Sequence, residues 1–307
     1  MARTGGIRRP GAGAVSRSRS GRNSCAPTTA WDDTRVKPAI QCSTGPFWAY
    51  ELEVAFDAIA DAGFTSLELM VTRDPKTQEP DIAQKLASDC GLRIESVHAP
   101  FLVVTRSVWG MEPLGKIRRG IDMCKSVGAT TLVVHPPYLW EGEYARWIKE
   151  ECAGLCAETG LSVAVETMYP KWVAGRRLRA YRWLEPAALF HNAPFVALDT
   201  SHLAVSRVDA LDALEILRPK LAHVHLSNNA GDGRDGHLEV EKGVVPLDRF
   251  IRKLRDEQYA GGVSLELSVI RYLDKPKELR VMLMRNREYA ERHLAGRARR
   301  SKGLPRP

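Results

Sequence analysis

No stretch of the 307 residues approaches the roughly 18 consecutive apolar side chains of a membrane helix, so no membrane-spanning helix and no membrane partner are expected. The six cysteines, Cys25, Cys42, Cys90, Cys124, Cys152 and Cys156, form no Cys-x-x-Cys pair. That argues against a zinc ribbon or a dithiol redox motif, and a reducing, cytoplasmic compartment is the simpler expectation. Cys152 and Cys156 stand four apart in a helical pattern and read as core. No Gly-rich phosphate loop follows the first strand-like run, where a doubly wound dinucleotide fold usually keeps one. Acidic residues are missing from both ends of the chain.

That last absence explains the net charge of +8, from 45 Lys and Arg against 37 Asp and Glu. Residues 1–30 carry six arginines, and residues 295–307 carry four arginines and Lys302. Without those eleven, 34 basic residues face 37 acidic ones, so the body is mildly acidic. Bulk charge is therefore a weak argument for a nucleic-acid partner. Residues 1–36 read as a disordered Arg/Ser/Gly-rich tail without the apolar core of a secretory signal. Their composition resembles an organellar transit peptide, but the apolar residues are too sparse for an amphipathic face. Residues 296–307 read as a second basic tail, leaving 37–295 as the folded part. At 44% hydrophobic and 27% charged residues the composition is ordinary for a globular protein, and about 260 residues can enclose one large core.

Within 37–295 short apolar runs alternate with amphipathic segments. The runs cover residues 40–44, 66–71, 94–98, 131–135, 162–166, 195–199, 222–226 and 263–267. Helical spacing links Leu52, Val54, Ala55 and Ile59, and again Leu247, Phe250, Ile251 and Leu254. Gly63, Gly91, Gly128 and Gly160 fall where helices should stop. Eight strand-like runs, each followed by a helix-like segment, predict an α/β fold, a single-domain (β/α)8 TIM barrel.

The strand ends carry the chemistry. Runs three to eight end at or beside His98, His135, Glu166, Asp199, His225 and Glu266, with His202 one turn beyond Asp199. The loop after the seventh run adds Asp235 and His237, and Glu68 on the second run is a further candidate. Taken singly, each has a plainer explanation: a hydrogen-bonded core histidine, a carboxylate paired with arginine, an aspartate forming a turn. Together, this many ionisable groups at one barrel mouth would repel and desolvate one another at a cost of several kcal/mol. Divalent cations relieve that cost. A mixture of imidazole and carboxylate without thiolate suits zinc, manganese, iron or cobalt better than calcium.

In order and placement, the segments Ser-Val-His98-Ala-Pro, Val-Val-His135-Pro-Pro, Ala-Val-Glu166-Thr, Leu-Asp199-Thr-Ser-His202, His-Val-His225-Leu and Ser-Leu-Glu266-Leu resemble the xylose isomerase-like superfamily. That superfamily joins sugar isomerases and epimerases, inosose dehydratase-like proteins and endonuclease IV. The resemblance covers residues 37 to about 290. It implies that Glu166, Asp199, His225 and Glu266 hold a catalytic divalent metal, as in the sugar epimerases. Glu166 and Glu266 would then exchange a proton with carbon through a metal-stabilised enediolate, and His202 would contact a substrate hydroxyl. The endonuclease IV branch implies more: His98 and His135 completing one zinc site with Glu166, and His202, Asp235 and His237 holding another. The expected cofactor is one to three ions of zinc, manganese, cobalt or magnesium. The expected substrate is a small carbohydrate, or abasic DNA under the endonuclease alternative. Against that alternative, His225 is followed by Leu-Ser-Asn-Asn instead of the Asn-Asp-Ser run of that enzyme, and no DNA-prying insertion is evident.

The segment after the fifth run concentrates Lys171, Trp172, Arg176, Arg177, Arg179, Tyr181, Arg182 and Trp183. This reads as a lid over the mouth, with Lys171, Trp172, Arg176, Arg177 and Arg179 contacting an anionic or sugar-bearing substrate. Oligomeric state is not legible.

Overall fold

A computed structural model describes residues 38–102, 105–173 and 176–295. The tails expected at 1–36 and 296–307 lie outside the described residues.

Each of the eight apolar runs is a strand: β1 (Ile40–Ser43), β2 (Ser66–Met70), β3 (Arg93–His98), β4 (Thr131–Val134) and β5 (Ser162–Glu166). A short antiparallel hairpin follows, β6 (Lys171–Val173) and β7 (Arg176–Leu178). Then come β8 (Phe195–Asp199), β9 (Leu221–Leu226) and β10 (Gly262–Leu265). Among the described residues eight strands pair in parallel and close, with Ile40 of β1 opposite Val263 of β10. This is a (β/α)8 TIM barrel.

The helices are α1 (Leu52–Asp61), α2 (Pro80–Asp89), α3 (Pro113–Val127), α4 (Gly142–Glu150), α5 (Cys152–Thr159), α6 (Pro186–Asn192), α7 (Thr200–Ser206), α8 (Ala210–Leu217), α9 (Leu247–Asp256) and α10 (Pro276–Ala295). Apolar spacing explains which face each buries. In α9 the buried side chains are Leu247, Phe250, Ile251 and Leu254, as the spacing predicts. In α1 they are Leu52, Ala55, Phe56 and Ile59. Val54, two residues from Leu52 and so nearly opposite it on the helix, is exposed; Phe56 takes the place the sequence reading gave it. Helices α3 and α5 stop at Gly128 and Gly160, whose φ values of 76° and 71° favour a residue without Cβ.

Strand alternation then builds the barrel interior. Val133, Ala164 and Ala197 fill one side of the lumen with small apolar groups. The other side is polar and buried, with Glu68, Ser96, His223 and Ser264. Because side chains on one face recur every second residue, the next positions are His98, His135, Glu166, Asp199, His225 and Glu266. Every one of these is buried, at the C-terminal end of its strand.

Candidate metal centre

Six of the eight histidines in the chain gather here with five carboxylates, which a set of unrelated core positions would not do. Five of the imidazoles turn a nitrogen toward this group and have the other held in place. His98 Nδ1 lies 3.0 Å from the Ala99 carbonyl, and His202 Nδ1 lies 2.8 Å from that of Thr167. His135 Nδ1 lies 3.4 Å from the Tyr181 hydroxyl, and His237 Nδ1 lies 3.0 Å from Ser227 Oγ. All four therefore turn Nε2 toward the carboxylates. His225 is the reverse, with Nδ1 on the centre and Nε2 within 3.1 Å of Glu68.

Glu166 is central. Its Oε1 lies 2.7 Å from His225 Nδ1, and its Oε2 lies 3.5 Å from His98 Nε2 and 3.3 Å from His135 Nε2. Glu266 Oε2 reaches the same His225 Nδ1 at 3.1 Å. Asp199 splits its two oxygens. Oδ1 caps α7 by accepting from the His202 backbone N–H at 2.8 Å, while Oδ2 faces His225 Nδ1 at 3.7 Å. Asp235 Oδ2 lies between His202 Nε2 at 3.2 Å and His237 Nε2 at 3.0 Å, and its Oδ1 accepts from Ser201 Oγ.

These donors fit divalent cations. Glu166 Oε2 and Asp199 Oδ2 are buried carboxylate oxygens without a hydrogen-bond partner, an arrangement that is costly unless a cation meets them. Four donor groups have all their ligand atoms within 4.8 Å of one another: at the rim His98, His135 and Glu166; Glu166, Asp199, His225 and Glu266; and Asp199, His202 and His237; and one layer down Glu68, His223 and His225. Nitrogen and oxygen donors without thiolate suit zinc, manganese or cobalt.

The local electrostatics point the same way. Burial alone would raise the Glu166 carboxyl, but the His225 and His202 imidazoles outweigh it and hold that carboxyl well below the usual range. Burial pushes Glu266 up; His225 and His237 oppose this, and the Asp199 and Glu166 carboxylates reinforce it. Against burial, Glu68, Glu266 and Glu166 hold His225 well above the ordinary imidazole value. Asp199, Asp235 and Glu166 do the same for His202. Asp235 carries His237 up to about 9 despite its burial, whereas burial pushes His135 down to about 3.

All nine strand-end and loop residues expected from the sequence meet in this cluster. Glu68 does not join the rim: it lies one layer down, wholly buried, beside His223 and His225. Sequence reading also passed over Asn228 and Asn229, noted only as a departure from a motif. Asn228 Nδ2 donates to the Val240 and Val245 carbonyls, and its Oδ1 accepts from the N–H groups of Asn229 and Val245. Asn229 Nδ2 donates to Ser201 Oγ and the Arg234 carbonyl. Together they fasten the loop that carries Asp235 and His237, where His237 has a left-handed φ of 42°.

The basic segment is a hairpin and a strap. Lys171 and Arg176 are exposed on β6 and β7, while Arg179 pairs with Glu185 at 3.4 Å. Arg182 donates to the carbonyls of Tyr138 and Leu139, and Trp183 lies under the Lys149 ammonium. Tyr181 stacks on Tyr138, which stacks on the exposed Trp140, so this strap is stitched to the loop after β4.

A closed barrel with imidazoles and carboxylates at its C-terminal rim defines a class of TIM-barrel proteins whose rim donors suit divalent cations. The chain belongs to the xylose isomerase-like TIM barrel family, which matches residues 56–285. It is similar to the uncharacterized protein Rv0498 of Mycobacterium tuberculosis (strain ATCC 25618 / H37Rv), with 32% identity over 279 residues, 84% of this chain and 99% of that protein. Among solved structures, a D-tagatose 3-epimerase-like protein has a TM-score of 0.58 at 21% identity, covering 83% of this chain and 100% of that one. The 3-keto-D-glucoside 4-epimerase of E. coli has a TM-score of 0.58 at 18% identity, covering 82% and 100%. At these identities the likeness to both structures is one of fold.

Proposed function

We propose that this protein is a divalent-metal-dependent isomerase or epimerase of a sugar, sugar phosphate or related polyol that works by proton transfer. One observation carries the reading: Glu166 and Glu266 converge on the same atom, His225 Nδ1, at 2.7 and 3.1 Å, with Asp199 Oδ2 at 3.7 Å. A single cation held by these four residues would supply the positive charge against which a substrate carbonyl and its neighbouring hydroxyl are polarised. Two carboxylates then flank the carbon beside that carbonyl. Glu166, kept ionised by its imidazoles, is the base that removes the proton. Glu266, pushed up by burial, is the acid that returns one. His202 donates to a substrate hydroxyl. Lys171 and Arg176 on the hairpin, with Arg179 just beyond, meet the anionic or polar end of the substrate, and Arg179 must leave Glu185 to do so; the side chains of Trp172 and Arg177, expected beside them, lie outside what the structure describes. The epimerases among the structural neighbours support a carbohydrate substrate. Five free cysteines among the described residues support a reducing setting such as the cytoplasm.

The test is solvent deuterium exchange into the carbon-bound hydrogens of a sugar and sugar-phosphate panel with the metal-loaded protein. Exchange that stops on chelation is the expected result, and no exchange across the panel refutes the reading.

A second reading has its own support. Beyond the four-residue set, the donor groups His98, His135, Glu166 and Asp199, His202, His237 are also assembled, with Asp235 between the last two imidazoles. Three cations in this arrangement suit an endonuclease IV-like zinc phosphodiesterase acting at abasic sites in DNA. Incision of an abasic duplex by protein holding three zinc equivalents would support it; one equivalent and no incision would remove it.

A further inference from the structure

We propose that Glu68 is a positioning residue for the metal centre: it accepts the Nε2 proton of His225 and thereby aims the Nδ1 lone pair at Glu166, Asp199 and Glu266. The inference rests on the metal-dependent reading above and assigns a role to a residue one layer beneath the ligands.

Glu68 is held with unusual care for a core residue. The register between β2 and β3 slips between Leu67 and Glu68, which sets Glu68 opposite Ser96. Ser96 Oγ lies 3.1 Å from Glu68 Oε2, and His223 Nε2 lies 2.8 Å from the same oxygen. The same Oε2 is the hydrogen-bond acceptor for His225 Nε2 at 3.2 Å, while Oε1 lies 3.1 Å from that nitrogen and has no hydrogen-bond partner of its own. Glu68, His223 and His225 each have 0% exposure, so bulk solvent does not reach these contacts.

The centre's other imidazoles are anchored by neutral groups: two carbonyls, a tyrosine and a serine. A hydroxyl either gives or takes a proton, whereas an ionised carboxylate only accepts. Of the five, His225 alone is anchored by a carboxylate, and it is also the one on which Glu166 and Glu266 converge. A carboxylate behind an imidazole fixes its tautomer, locks the ring and makes the opposite nitrogen a stronger donor to a cation. A carboxylate buried with its imidazole partners in a barrel core carries a desolvation cost, and apolar side chains of similar volume would pack there without it. The cost is understandable if the carboxylate serves the centre above it.

The decisive variant is Glu68→Gln, which keeps the size and an acceptor for His225 but removes the charge. Zinc and manganese affinities are measured by chelator competition on stripped protein, alongside the Tm of the stripped protein. The expected result is an affinity about 10- to 100-fold weaker in a variant whose Tm shows that it still folds. Affinity within about threefold of wild type overturns the proposal. Should the variant fail to fold, zinc-loaded wild-type protein decides by long-range 1H–15N correlation. Expected there is a His225 imidazole protonated at Nε2 and coordinated through Nδ1; a proton on Nδ1 overturns the proposal. Wild-type protein that binds neither metal refutes the metal reading itself, whereas tight wild-type binding retained in Glu68→Gln refutes only the role of Glu68.

Discussion

Glu166 and His225 meet at 2.7 Å, Oε1 to Nδ1, while the other oxygen of Glu166 faces His98 and His135 at 3.5 and 3.3 Å. One carboxylate therefore touches two separate donor groups. Glu166→Gln is expected to lower bound metal by at least one equivalent in elemental analysis and to lower turnover by about 10³-fold or more. Full metal content in this variant would show that Glu166 is not a ligand.

Glu266 differs: among the described residues its one ion pair is with His225 Nδ1, at 3.1 Å. Glu266→Gln is expected to fold with a Tm near wild type and to slow carbon–hydrogen exchange by about 10²- to 10⁴-fold. Mass-spectrometric deuterium incorporation checks it. Exchange at the wild-type rate would transfer the acid role elsewhere.

Cation binding should be coupled to proton release. When no cation is bound, carboxylates hold His225 and His202 well above the ordinary imidazole value, so both are protonated near neutrality. A cation must displace these protons, so affinity should rise with pH and fall by up to about tenfold per pH unit for each proton displaced. Calorimetry in buffers of different ionisation enthalpy measures the number released. A pH-independent affinity between 6 and 8 would contradict this account, those pH values being about the ordinary imidazole range.

The stripped protein should lose stability as pH rises. His237 titrates near 6.5 when unfolded and at about 9 beside Asp235. Its folded value is raised, so its stabilisation is complete below about pH 6.5 and is lost as pH climbs through about 9. The size is at most about 3 kcal/mol, equivalent to several degrees in Tm. Thermal melts of chelator-treated protein at pH 6.5 and pH 9 test it, with loaded protein as the control. Stripped protein as stable at the higher pH would rule the coupling out.

Asn228→Ala removes a buried side chain that satisfies four backbone groups. The expected cost is about 2–4 kcal/mol, read as a lower denaturation midpoint. Because Asp235 and His237 ride on the loop it fastens, hydrogen exchange across residues 229–245 should quicken more than in the strands. Uniform loss of protection would mean that Asn228 serves the barrel and not the loop.

Much of this was readable because the relevant periods are short. Apolar runs of about five residues separated by Gly-terminated amphipathic segments predict alternating strands and helices. Alternation along each strand predicts that a residue two past a lumen position faces the mouth. His98, His135, Glu166, Asp199, His225 and Glu266 stand out in the sequence because they end or adjoin those runs, where a barrel gathers its functional groups.

What escaped depends on register and on distant partners. Glu68 sits on a strand with the same alternation as its neighbours, yet the slip between Leu67 and Glu68 and the pairing of β2 with β3 place it beneath the rim. Asn228 and Asn229 look like ordinary polar loop residues until the strand, helix and loop segments they join are close in space. The hairpin of β6 and β7 lies inside a segment whose charge and rings suggest a lid but whose sequence carries no strand signal. Thus the sequence by itself determined which residues reach the barrel mouth, since that follows from backbone periodicity. Tertiary structure alone decided which nitrogen of each imidazole faces inward and which carboxylate stands behind His225, because those depend on hydrogen-bond partners far away in the chain.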